Sequence, residues 1–283
     1  MKDGLIYLNL DIKNKVFNIC SRLGVLCTPN FLWYNLYTSV MNLYSLEVGG
    51  LKVIIYDRLE KEIGKDYVYR VLKNNIMSLE LKPGELISES DLAKNLNVSR
   101  TPIREVLIKL KGENLIEVKP QSGTYISLID WNLIKEAIFM RYNLEKEVLK
   151  EACESFSEET LIELEKCLFA QRLLKSNFDN LLEFHNLDNE FHRLLFEGVN
   201  KKHVWEAISN LSTHYNRMRL LAEIKLDKCF LVDQHINYLD IIKRKDKSNI
   251  ENLIYDHIKS PIDKWDKLIK ENKDIEYYIK NKE

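Results

Sequence analysis

Beyond about position 57, apolar residues recur at helical spacing along most of the chain, and the intervals between periodic stretches carry turn chemistry. Within 66–77, Val68, Val71, Leu72, Asn75 and Ile76 fall on one face, with Asp66 as a cap. This spacing predicts a first helix. Lys82-Pro83-Gly84 then predicts a turn, since proline presets one φ and glycine accepts the positive φ that follows. Ser88 is placed to cap a short helix over 89–96, with Asp91 in the first turn where the helix dipole favours an acid and Asn97 at its end. Ser99 is placed to cap another, with Pro102 in its first turn and Ile103, Val106, Leu107 and Leu110 as the apolar stripe. Two strand-like runs, 115–119 and 124–127, flank Pro120-Gln121-Ser122-Gly123 and predict a β-hairpin. Helix, helix-turn-helix and hairpin in that order make a winged helix-turn-helix, whose second paired helix enters a major groove.

From 130 to about 279 nearly every stretch reads as helix. Ile134, Ile138, Tyr142, Glu145 and Leu149 mark one, and Leu161, Leu164, Cys167 and Leu168 within 160–174 mark another, with Ser157 as the start signal between them. The expected fold is therefore mainly α: an N-terminal winged helix-turn-helix with a small β-hairpin, followed by an all-α antiparallel helical bundle. The first fifty residues differ. No helical stripe persists there, although 12–23 suits a short helix, and Gly49-Gly50 is a break. Residues 1–56 read either as an accessory segment or as sequence upstream of a natural start near Val53. The expected domains are 1–56, 57–127 and 128–283.

A length of 283 residues agrees with two domains, and 45% hydrophobic with 30% charged residues excludes wholesale disorder. Nine glycines and five prolines argue against a turn-rich β-sandwich. The formal net charge of -1 announces no nucleic-acid or membrane partner, so any such partner must meet a local patch. One exists: Lys94, Arg100, Arg104, Lys109 and Lys111 face a single acid, Glu105, between Lys94 and Lys111. That excess suits phosphate contact, and forked guanidinium groups at Arg100 and Arg104 suit guanine edges; the same pattern also suits a solvated helix face. Cys20, Cys27, Cys153, Cys167 and Cys229 include no CxxC pair and read as reduced packing residues. No stretch approaches the roughly 20 apolar residues of a membrane span, and no secretory signal is evident, so a cytoplasmic protein without a membrane partner is expected.

The histidines carry the remaining chemistry. Asp188 and His192 are four residues apart, one turn along one helix face. His235 and His257 would stand about 33 Å apart on one straight helix. The polar run Lys243-Arg244-Lys245-Asp246-Lys247-Ser248-Asn249 breaks that helix, so two antiparallel helices can turn both imidazoles inward. One carboxylate and three imidazoles suit zinc or another divalent transition metal; each histidine alone equally suits a hydrogen-bonded core position. His185 and His203 read as surface or helix-end residues and His214 as packing. Arg217 and Arg219 are alternative pocket cations for the carboxylate of a small-molecule effector.

The run Val98-Ser99-Arg100-Thr101-Pro102-Ile103-Arg104-Glu105, with Leu81-Lys82-Pro83-Gly84 upstream, resembles the DNA-binding domain of GntR-family bacterial transcription regulators. The resemblance implies base contacts from Arg100 and Arg104, phosphate contacts from Ser99 and Thr101, and a minor-groove approach at Gly123. Asn114 departs from the glycine common after the recognition helix, but asparagine tolerates left-handed geometry. Ser90 stands where some relatives carry arginine, which leaves the operator bases open. The second half resembles the FCD domain of the FadR subfamily, whose Asp-x-x-x-His and two later histidines match Asp188, His192, His235 and His257. Its entry helix matches Arg141-Tyr142-Asn143-Leu144-Glu145, which adds Arg141 to the effector-binding candidates. Together these imply a homodimeric, ligand-responsive transcription factor on a pseudo-palindromic double-stranded operator, and no enzyme. The competing expectations are a DNA-binding dimer without an effector and a metal-dependent hydrolase. Against the hydrolase, no HExxH-type base accompanies the histidines.

Overall fold

The computed structural model describes residues 44–48, 51–174, 181–224 and 229–282. The suggested helix at 12–23 and the Gly49-Gly50 break lie outside these residues. Strands β1 (Tyr44–Val48) and β2 (Leu51–Ile55) pair antiparallel with Val48 opposite Leu51. Helix α1 (Gly64–Met77) buries Val68, Val71, Leu72, Asn75 and Ile76 as their spacing predicts; its N-cap is Ile63, and Asp66 sits inside the first turn rather than capping it. Asn75 is the tie between β2 and α1. Its amide oxygen accepts from the Ile54 N–H (2.7 Å) and its Nδ2 donates to the carbonyls of Ile54 and Val71 (2.8 Å each).

Helix α2 (Glu89–Asn95) starts where Ser88 Oγ accepts from the Asp91 N–H, and Asn97 closes the turn with φ 50°. Helix α3 (Arg100–Gly112) follows. Strands β3 (Leu86–Ile87), β4 (Ile116–Lys119) and β5 (Gly123–Ile126) form an antiparallel sheet in the order β3-β5-β4, so the expected hairpin gains a short third strand. The core beneath runs from Val53 through Val68, Leu72, Leu92, Ile103 and Leu110 to Ile126. Val53 is 1% exposed, so the winged domain's packing begins a few residues before position 57.

A second core starts at Ile129. Strand β6 (Ile129–Asp130) pairs in parallel with β7 (Ile279–Lys280), returning the C-terminal end to the junction between the domains. Asp130 caps the long helix α4 (Trp131–Glu154) by accepting from the Asn132 N–H. Helices α5 (Glu158–Leu174), α6 (Leu181–Glu197), α7 (Lys202–Leu211), α8 (Thr213–Glu223) and α9 (Cys229–Arg244) follow. Helix α10 (Ile250–Ile254) runs into a π-turn (Tyr255–Lys259), then α11 (Pro261–Glu271) and α12 (Lys273–Glu276). Ile134, Leu149, Leu164, Phe184, Phe191 and Ile254 meet in the bundle's interior, each burial contributing about 1.5–3 kcal/mol against exposure. The fold is mainly α, a winged helix-turn-helix followed by a helical bundle. Among the described residues no helix is long and apolar enough to cross a membrane.

Candidate nucleic-acid interface and metal centre

Helix α3 divides by period. Ile103, Val106, Leu107 and Leu110 face the core, which leaves Arg100, Thr101 and Arg104 on the solvent side. Ser99 is the N-cap residue, but its hydroxyl makes no capping hydrogen bond, contrary to the expectation of a side-chain cap. Arg104 Nε donates to Glu89 Oε2 at 2.8 Å, so the guanidinium is held across the α2–α3 angle while remaining 62% exposed. Lys109 Nζ lies 3.4 Å from the centre of the Tyr69 ring, which removes it from the free cations of the patch. At the wing, Gly123 has φ 128°, which demands glycine; a Cβ there would also stand 2.7 Å from Leu86 Cδ1, the tip of an exposed side chain. Asn114, after α3, takes the left-handed conformation (φ 58°) that asparagine tolerates.

In the bundle, α6, α9 and the π-turn bring three imidazoles together. The candidate ligand nitrogens of His192, His235 and His257 all lie within 4.8 Å of one another, and all three residues are buried. Their outward nitrogens are each turned to an oxygen. His192 Nδ1 lies 2.9 Å from Glu145 Oε2, His235 Nδ1 is 2.7 Å from Gln171 Oε1 and His257 Nδ1 is 2.8 Å from Gln234 Oε1. Since the two glutamine oxygens accept, the protons of His235 and His257 belong on Nδ1 and their Nε2 lone pairs face the centre, while Glu145 stands within ion-pair distance of His192 Nδ1. His192 Nε2 and His257 Nε2 are 3.0 Å apart. Two lone pairs that close repel unless a proton or a cation lies between them, and a divalent ion takes imidazole nitrogens at about 2.1 Å. The residues present therefore fit a divalent metal.

Asp188 stands beside the triad, Oδ1 3.7 Å from His235 Nε2 and Oδ2 3.9 Å from His192 Nε2. Its Oδ2 accepts from Arg219 Nη1, while Oδ1 and His235 Nε2 are buried without a hydrogen-bond partner among the described residues. These are the atoms a cation would satisfy. Burial raises the Asp188 carboxyl's pKa, but the Arg219 guanidinium and the imidazoles outweigh it and hold the group well below the usual carboxylate range. Burial opposes the charged form of His235, pushed down to about 3, and of His257, also lowered, so both present neutral nitrogens. Glu145 is held at about 2 against its burial by Arg141 and His192. A cavity of about 430 Å³ opens against this centre, with Asp188, Arg219, Gln234 and His257 on its polar side.

Residues 65–126 match the model for bacterial regulatory proteins of the gntR family, and residues 136–260 match the FCD domain model. The chain is 30% identical over 197 residues, 69% of its length and 82% of the other's, to an HTH-type transcriptional regulator in an unstable DNA locus of Streptomyces ambofaciens. The chain belongs to the GntR family of bacterial regulatory proteins. It is a DNA-binding transcription regulator with an FCD domain. The regulator is also 28% identical over 208 residues, 73% of its length and 91% of the other's, to the HTH-type transcriptional repressor RspR of Escherichia coli. Among solved structures, E. coli McbR/YncC has the same fold, with TM-score 0.60, 23% identity and coverage of 72% of this chain and 97% of that one.

Of the three arginines expected as pocket cations, the structure puts only Arg219 on the regulator's cavity. Arg141 is buried in α4, its Nε donating to Glu145 Oε1 at 2.6 Å, and so supports His192 through Glu145. Arg217 points to the junction between domains instead. Its Nη1 donates to the Ser127 carbonyl (2.9 Å) and its Nη2 lies 3.1 Å from Ser127 Oγ, which itself donates to the Asn114 carbonyl (2.6 Å). His214 completes that junction: its Nδ1 accepts from the Asp130 N–H (2.9 Å), and its Nε2 lies 3.0 Å from the Asn114 carbonyl. His203 is exposed as expected, but His185 is buried, its Nδ1 3.0 Å from Glu223 Oε2, because α6 turns that face inward. Sequence reasoning missed Glu145, Gln171, Gln234 and Glu223. Glu145 carried a signal, lying four residues after Arg141 on an apolar stripe; the two glutamines and Glu223 carried none.

Proposed function

We propose that the regulator binds a pseudo-palindromic operator as a homodimer and that a small organic acid, held in the FCD cavity beside a bound divalent metal, changes that binding. Each copy would place α3 in a major groove, with Arg100 and Arg104 toward base edges, Ser99 and Thr101 toward phosphates, and the wing at Gly123 toward the minor groove. What supports the DNA side is the exposed, polar face of α3 opposite its buried stripe. What carries the effector side is the convergence of His192, His235 and His257, of which His257 lines a 430 Å³ cavity together with Asp188, Arg219, Glu223 and Gln234. When bound, the metal supplies a Lewis-acid position for an effector oxygen, with zinc the first choice for an imidazole-rich set. The chain's own residues do the rest: Gln171, Gln234 and Glu145 fix the imidazoles, and Arg219 holds Asp188 in place.

The test begins with an operator selected from random DNA by the purified protein. Its affinity is then measured with zinc present and after chelation, for the unmutated chain and for His235→Ala. Zinc should bind the unmutated chain with one equivalent per protomer and alter operator affinity, while His235→Ala should lose both. Equal operator affinity in all four samples would refute the metal-linked reading and leave a DNA-binding dimer.

A further inference from the structure

Besides the centre itself and Arg219 Nε, the 430 Å³ cavity contains two buried polar atoms without hydrogen-bond partners among the described residues, and they are of opposite kinds. Gln234 is one source. Its Oε1 is engaged by His257 Nδ1, which fixes the amide's orientation and leaves Nε2 as a donor with nothing to receive it. Glu223 is the other. Its Oε2 pairs with His185 Nδ1, and Oε1 lies 3.3 Å from Arg219 Nε without forming a hydrogen bond, so an acceptor lone pair remains. Buried groups left in this condition are unfavourable, and a ligand bearing both complements would satisfy them.

The remaining walls select further. Tyr215, Ala222, Phe230, Leu231, Pro261 and Trp265 are apolar or aromatic, with the Tyr215 and Trp265 rings 5.4 Å apart. Three carboxylates, Asp188, Glu223 and Asp256, line the cavity against two cations, and Arg219 is already shared between Asp188 and Glu223. A di- or tricarboxylate would bring further negative charge into that balance, and a polyol would leave its hydroxyls facing aromatic rings. We infer that the cavity takes an α-amino acid with an apolar side chain. Its carboxylate would accept from Gln234 Nε2 beside the imidazole triad, its ammonium would donate to Glu223 Oε1, and its side chain would lie along Phe230, Leu231 and Trp265. This rests on the cavity being the effector site and names the class it selects.

Isothermal titration of the zinc-loaded full chain with two matched pairs tests it: L-phenylalanine against 3-phenylpropionate, and L-leucine against 4-methylpentanoate, with citrate as the polyanionic control. In at least one pair the amino acid should bind about tenfold or more tighter than its deaminated partner and tighter than citrate, the size of one charge-assisted hydrogen bond. Glu223→Gln should abolish that preference. Acids that bind equally with and without the amino group, or a preference that survives Glu223→Gln, overturn the amino-acid class but leave the effector site standing. No binding by any of the five overturns the effector site and the class with it. The matched pairs on the unmutated chain decide the matter even where Glu223→Gln fails to fold.

Discussion

His214 is kept neutral because burial and then the Arg217 guanidinium beside it oppose a charged imidazole, pushing it down to about 3. In the unfolded chain the same group titrates near about 6.5. Above that value neither state binds the proton and nothing is lost. As pH falls below it, the unfolded chain takes up a proton that the folded chain refuses until about pH 3, so stability falls with pH through that window. Between pH 7.5 and 5.5 the loss assigned to this one residue is about 1.4 kcal/mol. Chemical denaturation of His214→Gln, whose amide can keep both hydrogen bonds, should show a pH dependence shallower by that amount; an unchanged slope would place the titration elsewhere. Gln171 allows a matching test at the candidate metal centre. Its Oε1 orients His235 while its Nε2 donates to the Leu187 carbonyl at 2.9 Å. Gln171→Met keeps the volume and removes both bonds, so competition with a chelator should find zinc bound about 10–100-fold more weakly, with the helical circular dichroism retained.

At the scale of elements, α3 is where a local signal sufficed. Its stripe, Pro102 and the cations between Lys94 and Lys111 are all contiguous, so both its existence and its exposed face follow from period alone. Arg100→Ala and Arg104→Ala should each cost about 1–3 kcal/mol of specific operator binding and relax preference at one base pair, measured by fluorescence anisotropy on operator variants. Loss that is uniform across sequences would instead mark a phosphate contact. The β1–β2 pair was not read, although Gly49-Gly50 between two apolar runs has the form of a two-residue hairpin connection. The π-turn that turns His257 inward has no sequence mark that periodicity could detect. The three histidines were legible as candidates through spacing and family pattern. The placement of Gln171 and Gln234 was not, because it depends on helices that meet only in three dimensions. The same limit explains Arg217, whose partner Ser127 lies 90 positions away.

At the scale of the molecule, α8 is the physical link between the two halves. His214 and Arg217 near its start hold Asn114 and Ser127, immediately beyond α3 and the wing, while Arg219 holds Asp188 beside the imidazole triad. His214 and Arg219 are five residues apart, about 7.5 Å along the axis, too short a span of helix to bend independently. A change in how Asp188 is held should therefore reach the seat of the recognition helix as a displacement of α8. Coupling of this kind is reciprocal: if zinc alters operator affinity, operator alters zinc affinity by the same factor, within about 5–150-fold for typical coupling energies. Arg217→Met removes the guanidinium contacts to Ser127 and to His214 Nδ1 without touching the imidazole triad or the exposed face of α3. Burial lowers Arg217 only to about 9, so at neutral pH the substitution removes a charged donor. In that variant the ratio of operator affinities with and without zinc should approach one, and so should the ratio of zinc affinities with and without operator, while zinc binding in the absence of DNA stays at its original strength. Full coupling retained in Arg217→Met would show that the signal crosses between the domains by another route, with the β6–β7 pairing at the junction the next element to cut.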